Sequence, residues 1–140
     1  REDAVLLRVF DPSTAARNGL STIVRSPYDP SGLRRGAYSP TSDHHGVVTL
    51  ELDDVAVELD VTREPDGALF AAFSDATSGH ESYLFRFLRL PAPDASGGVE
   101  VDLNRAYLPP CAFSEHYLCV FPSPRNRWNV PVHTGELRVQ

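Results

Sequence analysis

Cys111, His116 and Cys119 bring two sulfurs and an imidazole into a nine-residue segment. Zinc accepts thiolate and imidazole tetrahedrally, and three protein ligands plus a water would form a catalytic-type site. The spacing matches no standard zinc pattern, however, and the segment is flanked by proline, so two reduced, partly buried thiols and no cofactor are expected. Cys111 as a nucleophile would need a base to lower its pKa. His80, His116 and His133 are the candidates, and no diagnostic spacing links any of them to it. Ser78-Gly79 lacks the flanking glycine of a nucleophile elbow, which argues against a serine hydrolase. His44-His45 lies in a polar stretch and reads as an exposed pair.

A second group is polar. Alternation through Val99-Glu-Val-Asp-Leu103 puts Glu100, Asp102 and Asn104 on the face opposite Val99, Val101 and Leu103. If that face lined a cleft, Asp102, Asn104 and Arg105 beside Tyr107 would supply a charged, hydrogen-bonding wall. Asp75, Ser78 and Glu81 would join it from a neighbouring strand end. The competing reading is structural, because Asp and Asn before a loop commonly tie down its backbone amides. The expected cavity is lined by Asp102, Asn104, Tyr107 and the 111–119 loop.

Positioning these residues falls to β-strands. Val55, Val57, Leu59 and Val61 alternate with Ala56, Glu58 and Asp60, and Val48, Leu50 and Leu52 alternate just upstream. Asp53-Asp54 leaves room for a tight turn alone, so the two segments predict a hairpin. Pro65-Asp66-Gly67 turns the chain into a strand near Ala68 to Phe73. Ser82 to Leu90 is apolar on both faces, which predicts a central strand or one covered on both sides. Short strands are also expected at Tyr117–Phe121, Val130–Val132, Leu137–Val139 and, as an edge, Leu6–Phe10. Leu20 to Asp43, rich in Ser, Pro, Gly and Arg, reads as a long ordered loop. Twelve prolines argue against long helices, leaving turns near Ser13–Asn18 and Arg105–Tyr107. The fold predicted is all-β, an antiparallel barrel or sandwich of about six to nine short strands with long loops. Residues 1–140 form one domain in this reading, a loop-rich 1–45 followed by a β core over 46–140.

The segments Phe73-Ser-Asp-Ala-Thr-Ser-Gly-His-Glu-Ser-Tyr83, Arg86-Phe-Leu, and Asn104-Arg-Ala-Tyr-Leu-Pro-Pro-Cys-Ala-Phe113 stand in a characteristic order. Pro122-x-Pro-x-Asn126 and Val130-Pro-Val-x-x-Gly-Glu136 close it. In that order they resemble the family of unknown function DUF1684, over residues 73 to 136, with Ser26-Pro-Tyr-Asp-Pro30 a weaker upstream match. The resemblance implies a β-rich domain and no particular activity. The chain departs from the family pattern at Leu84, Phe85, Leu103, Leu108 and Val120-Phe121.

Composition narrows the function classes. The chain has 140 residues, 41% hydrophobic and 23% charged, as folded proteins do. Its net charge of −6 repels phosphate backbones, and Arg34-Arg35 and Arg125-x-Arg127 are too short to overcome that, so no nucleic-acid partner is expected. No apolar run approaches membrane-spanning length, so no membrane partner is expected and a cytoplasmic location is. Arg1 in place of Met reads as a processed end. The leading expectation is a non-catalytic domain that binds a small molecule or acts as an accessory. The alternatives are a metal- or cysteine-dependent hydrolase and a protein-interaction module showing an apolar patch around Phe121 and Trp128. For Trp128, core anchoring is the expected role.

Overall fold

The structure is a computed structural model that describes residue 7, residues 9–19 and residues 22–140. A single helical turn, α1 (Ala15–Gly19), precedes the strands β1 (Ile23–Arg25), β2 (Leu33–Pro40), β3 (His45–Leu52), β4 (Val55–Arg63), β5 (Leu69–Phe73), β6 (Arg86–Leu90), β7 (Gly98–Asp102) and β8 (Glu136–Val139). Six strands form one antiparallel sheet in the order β6-β5-β4-β3-β2-β7, which curls into a half-barrel. β1 and β8 pair separately. The all-β antiparallel prediction holds. Among the described residues, no helix is long and apolar enough to cross a membrane.

The β3–β4 hairpin forms as its alternation predicts, in register from Leu52↔Val55 to His45↔Thr62. Asp53 and Asp54 both take positive φ, 49° and 63°, the type I′ geometry that matches strand twist. Val48, Leu50, Leu52, Val57, Leu59 and Val61 fill the concave face. Val55, expected inward with them, is half exposed at the hairpin end. Trp128 anchors the core: it stacks on Phe73 at 5.1 Å between centroids, and its Nε1 donates to the Glu58 carbonyl at 2.9 Å.

Several expectations need correction. β1 and β2 lie inside Leu20–Asp43, which was expected to be loop. Composition is a poor guide to β2 because two neighbours hold it, β3 on one side and β7 on the other. Its Gly36 lets the strands close: a Cβ there would stand 2.6 Å from Val48 Cγ1 and 3.2 Å from the Thr49 carbonyl. The strand expected over Ser82–Leu90 is shorter, Arg86–Leu90, and is an edge strand covered on both faces. Tyr117–Phe121 and Val130–Val132 form no strands. The edge strand expected at Leu6–Phe10 falls partly outside the described residues, and Val9 and Phe10 have no strand structure.

Candidate functional site

The half-barrel leaves a seam between its edge strands. β6 and β7 approach each other without pairing. At the end of β6, Tyr107 bridges the edge: its N–H donates to the Phe87 carbonyl at 2.9 Å, and the Phe87 N–H returns a bond at 2.8 Å. Beyond that bridge a cleft of about 390 Å³ opens, with Arg89, Leu90 and Pro91 on one wall and Glu100 and Asp102 on the other. Arg105 and Tyr107 complete it. Strand alternation explains the lining: Leu88 and Leu90 of β6, and Val99 and Val101 of β7, are buried in the core, which sends Arg89, Glu100 and Asp102 outward.

The cleft's charges are unequally committed. Arg89 Nε donates to Glu64 at 2.9 Å and its Nη2 to Asp66 at 2.5 Å, so its guanidinium is already neutralised from behind. Asp102 uses Oδ1 to accept from the backbone N–H of Asn104 at 3.1 Å, capping the 3₁₀ turn that follows β7. Its Oδ2 lies 3.9 Å from Arg105 Nε. The Arg105 side chain is 79% exposed, and that contact is its only ion pair among the described residues. Glu100 has no hydrogen-bond or ion-pair partner among the described residues. The Tyr107 phenol is pushed above its ordinary pKa, first by burial and then by the Glu64 carboxylate, with Arg89 opposing.

Of the residues singled out by sequence, the cleft gathers Asp102, Arg105 and Tyr107. Asn104 is not among them. It is buried, its Oδ1 accepts from the Asp29 N–H at 2.9 Å, and its Nδ2 donates to the Asp29 carbonyl at 2.8 Å. The amide is thus spent on fastening the Asp29 loop to the sheet. Asp75, Ser78 and Glu81 lie elsewhere. Asp75 is wholly buried against Arg86, with Oδ2 2.8 Å from Nη2, while Oδ1 accepts from Thr77 and from the Val132 N–H. Ser78 Oγ accepts from the Asp75 N–H at 3.0 Å. Glu81 faces solvent beside His133, 3.1 Å away.

The expectation of two reduced thiols needs correction. Cys111 and Cys119 form a disulfide, their Cα atoms 6.4 Å apart, so neither offers a thiolate. His116 is exposed, and no group of three His, Cys, Asp or Glu residues among those described could hold a metal. The disulfide does not line the cleft. It packs on the same aromatic cluster as Tyr107, on the outer face of β5 and β6, where Phe87 meets Phe70 at 5.0 Å and Tyr107 at 5.7 Å. Phe121 joins through Phe85, at 5.2 Å. Sequence reasoning missed Arg89, Leu90 and Pro91. Arg89 alternates with Leu88 and Leu90, which marks it as outward, but nothing local announces that β6 faces β7 across a seam.

A solution NMR structure of an uncharacterised protein of Haloarcula marismortui is similar, with a TM-score of 0.70 at 22% identity, covering 89% of this chain and 79% of that one. At that identity the likeness is one of fold. No curated protein matches. A family profile described as a protein of unknown function, DUF1684, matches residues 34–137. Residues 34–137 are most of the chain and take in β2 to β7, the seam and the disulfide segment, so this chain belongs to the DUF1684 family.

Proposed function

We propose that the chain is a non-catalytic ligand-binding domain whose seam cleft takes a small organic amine. The observation that carries this reading is the unequal commitment of charge. Arg89 is matched by two carboxylates of its own, while the Glu100 carboxylate has no hydrogen-bond or ion-pair partner among the described residues and Asp102 keeps Oδ2 directed at a distant, solvent-exposed arginine. The cleft therefore offers carboxylate to a ligand cation beside the face of Tyr107, and ammonium groups favour both. A volume of about 390 Å³ lies at the small end of ligand sites.

The test is an NMR titration of the full chain with putrescine, choline and benzylamine. Amide shifts centred on Glu100, Asp102, Arg105 and Tyr107 are expected, and Glu100→Gln should weaken them. Shifts scattered over the surface, or binding indifferent to Glu100→Gln, would sink the reading. A second reading, an interaction module, draws on one observation: Tyr117, Leu118, Val120 and Phe121 are exposed in succession at and just past the closing end of the disulfide loop. Self-association abolished by Leu118→Ser with Phe121→Ser would favour it over the cleft.

A further inference from the structure

The disulfide is the main restraint on a segment that is otherwise poorly tied to the body of the protein. The hydrogen bonds donated by the Ala112, Phe113 and Ser114 amides end on the Pro109 and Pro110 carbonyls, and the His116 amide donates to Ser114 Oγ. These bonds shape the segment locally and do not attach it to the sheet. Attachment comes from the packing of Cys111 and Cys119 against the Phe85 and Phe87 cluster and from the Phe121 ring on Phe85. Tyr107 belongs to that cluster and also lines the cleft. Its backbone is held independently, by the bridge to Phe87 and by the Leu108 N–H donating to Glu136 Oε2 at 2.8 Å. Its ring rests edge-on against Phe87 at 5.7 Å, in the cluster on which both cysteines pack.

We propose that the Cys111–Cys119 disulfide is a redox device that sets the Tyr107 wall of the cleft: oxidised, it clamps residues 111–121 onto the aromatic cluster against which the ring rests, and reduced, it releases them. The functional part rests on the cleft being a ligand site. Both cysteines are partly exposed, within reach of a small dithiol. One thiolate of the dithiol attacks a cystine sulfur, giving a mixed disulfide and a free cysteine thiolate. The second thiolate then displaces the other cysteine, and the dithiol leaves as a cyclic disulfide. Two electrons and two protons pass to Cys111 and Cys119. With the bridge gone, the loop recovers the chain entropy that closure withheld, and its hold on the cluster falls to separate side-chain contacts, the Phe121 ring on Phe85 among them.

The experiment compares NMR spectra of the full chain before and after treatment with dithiothreitol, with Trp128 fluorescence reporting that the core stays folded. Reduction should raise hydrogen exchange at the Ala112, Phe113 and Ser114 amides on the order of tenfold to a hundredfold, the factor expected when a short cross-linked loop opens. It should shift the Tyr107 ring signals while the Tyr107 and Leu108 amides stay protected. Putrescine should bind the reduced form more weakly. Should the reduced chain unfold, Phe121→Ala in the oxidised chain carries the test: it must loosen residues 117–121 yet leave the Tyr107 ring signals in place. Tyr107 signals unchanged on reduction, or displaced by Phe121→Ala in the oxidised chain, would overturn the proposal. If the ring moves on reduction but no amine binds in either state, the cleft reading falls and the redox control of the ring stands.

Discussion

Replacing Arg86 by Met tests how the C-terminal segment is held to the sheet. Arg86 is wholly buried, and its guanidinium stands over the Phe73 ring at 5.2 Å. Nη2 donates to Asp75 Oδ2 at 2.8 Å and to the Val132 carbonyl at 2.7 Å, and Nη1 donates to the Thr134 carbonyl at 2.7 Å. Methionine matches the stem and supplies no donor. Breaking one side of a buried ion pair costs about 3–5 kcal/mol. Each stranded buried carbonyl adds about 1–3 kcal/mol, less whatever water enters to solvate it. These contributions overlap, and about 5 kcal/mol is a fair net figure against a total stability of about 5–15 kcal/mol. With a urea slope of about 2 kcal/mol/M, the midpoint should fall by about 2.5 M. Trp128 fluorescence is the natural probe, because its ring stacks on the same Phe73. Asp75→Asn with Arg86→Met should cost about 2 kcal/mol less than the two single losses added together, since the pair acts as a unit. A midpoint shift below about 0.5 M for Arg86→Met would refute the claim that this arginine is the clamp.

Gly36→Ala should destabilise by about 1–3 kcal/mol, since its Cβ would meet the immobile Val48 and the Thr49 carbonyl; chemical denaturation measures it. Cys111→Ser with Cys119→Ser should cost about 2.5 kcal/mol, from loop closure over a separation of eight residues, read as the difference in urea stability from the oxidised protein. The Tyr107 phenol, raised by burial and by Glu64, should ionise above 10.0. Its contribution to stability is then present below 10.0 and lost as pH climbs through the folded value, and phenolate absorbance of the chain against Tyr107→Phe checks both points. Asp94 is held well below the carboxylate range by Ser96, Arg35 and the Gly98 amide. Its contribution is present above 3.8 and lost as pH falls through the lower folded value, so Asp94→Asn should flatten the acid limb of the stability profile.

The legible parts of this fold are those whose physics is local. The β3–β4 hairpin could be read because alternation and a two-residue turn lie in one continuous stretch. β7 could be read for the same reason. β2 could not, because its pairing with β3 and β7 comes from chain segments far away, and its Gly36 and Tyr38 give too sparse an apolar face. The polar face of β7 pointed to Asp102, Arg105 and Tyr107. The same reasoning placed Asn104 with them, and it failed once the chain left the strand. Asp102 caps a 3₁₀ turn there, and the turn swings Asn104 inward to the Asp29 backbone. Arg86 shows the limit in another way. Its place in the strand alternation assigned it to a face but gave no hint that it is wholly buried, because its partners are spread across residues 75 and 132–136.

The seam explains why a site forms here and why sequence alone did not find both walls. A closed barrel would pair β6 with β7, consuming the backbone edges and bringing Arg89 against Glu100 as cross-strand neighbours. The sheet curls nearly that far, then stops. Tyr107 makes the bridge to Phe87 that β7 would have made, and the disulfide segment covers the aromatic face that closure would have buried differently. The residues just past that bridge therefore keep outward side chains with a gap between them, and Glu100 is left without an ion-pair partner among the described residues. Closing the seam would test this. Glu100→Cys with Arg89→Cys, oxidised, should lock the two walls together if they face each other across the cleft, raising stability and abolishing amine binding at once. A cross-link that forms readily while putrescine still binds at Tyr107 would show that the cleft is not the space between these strands.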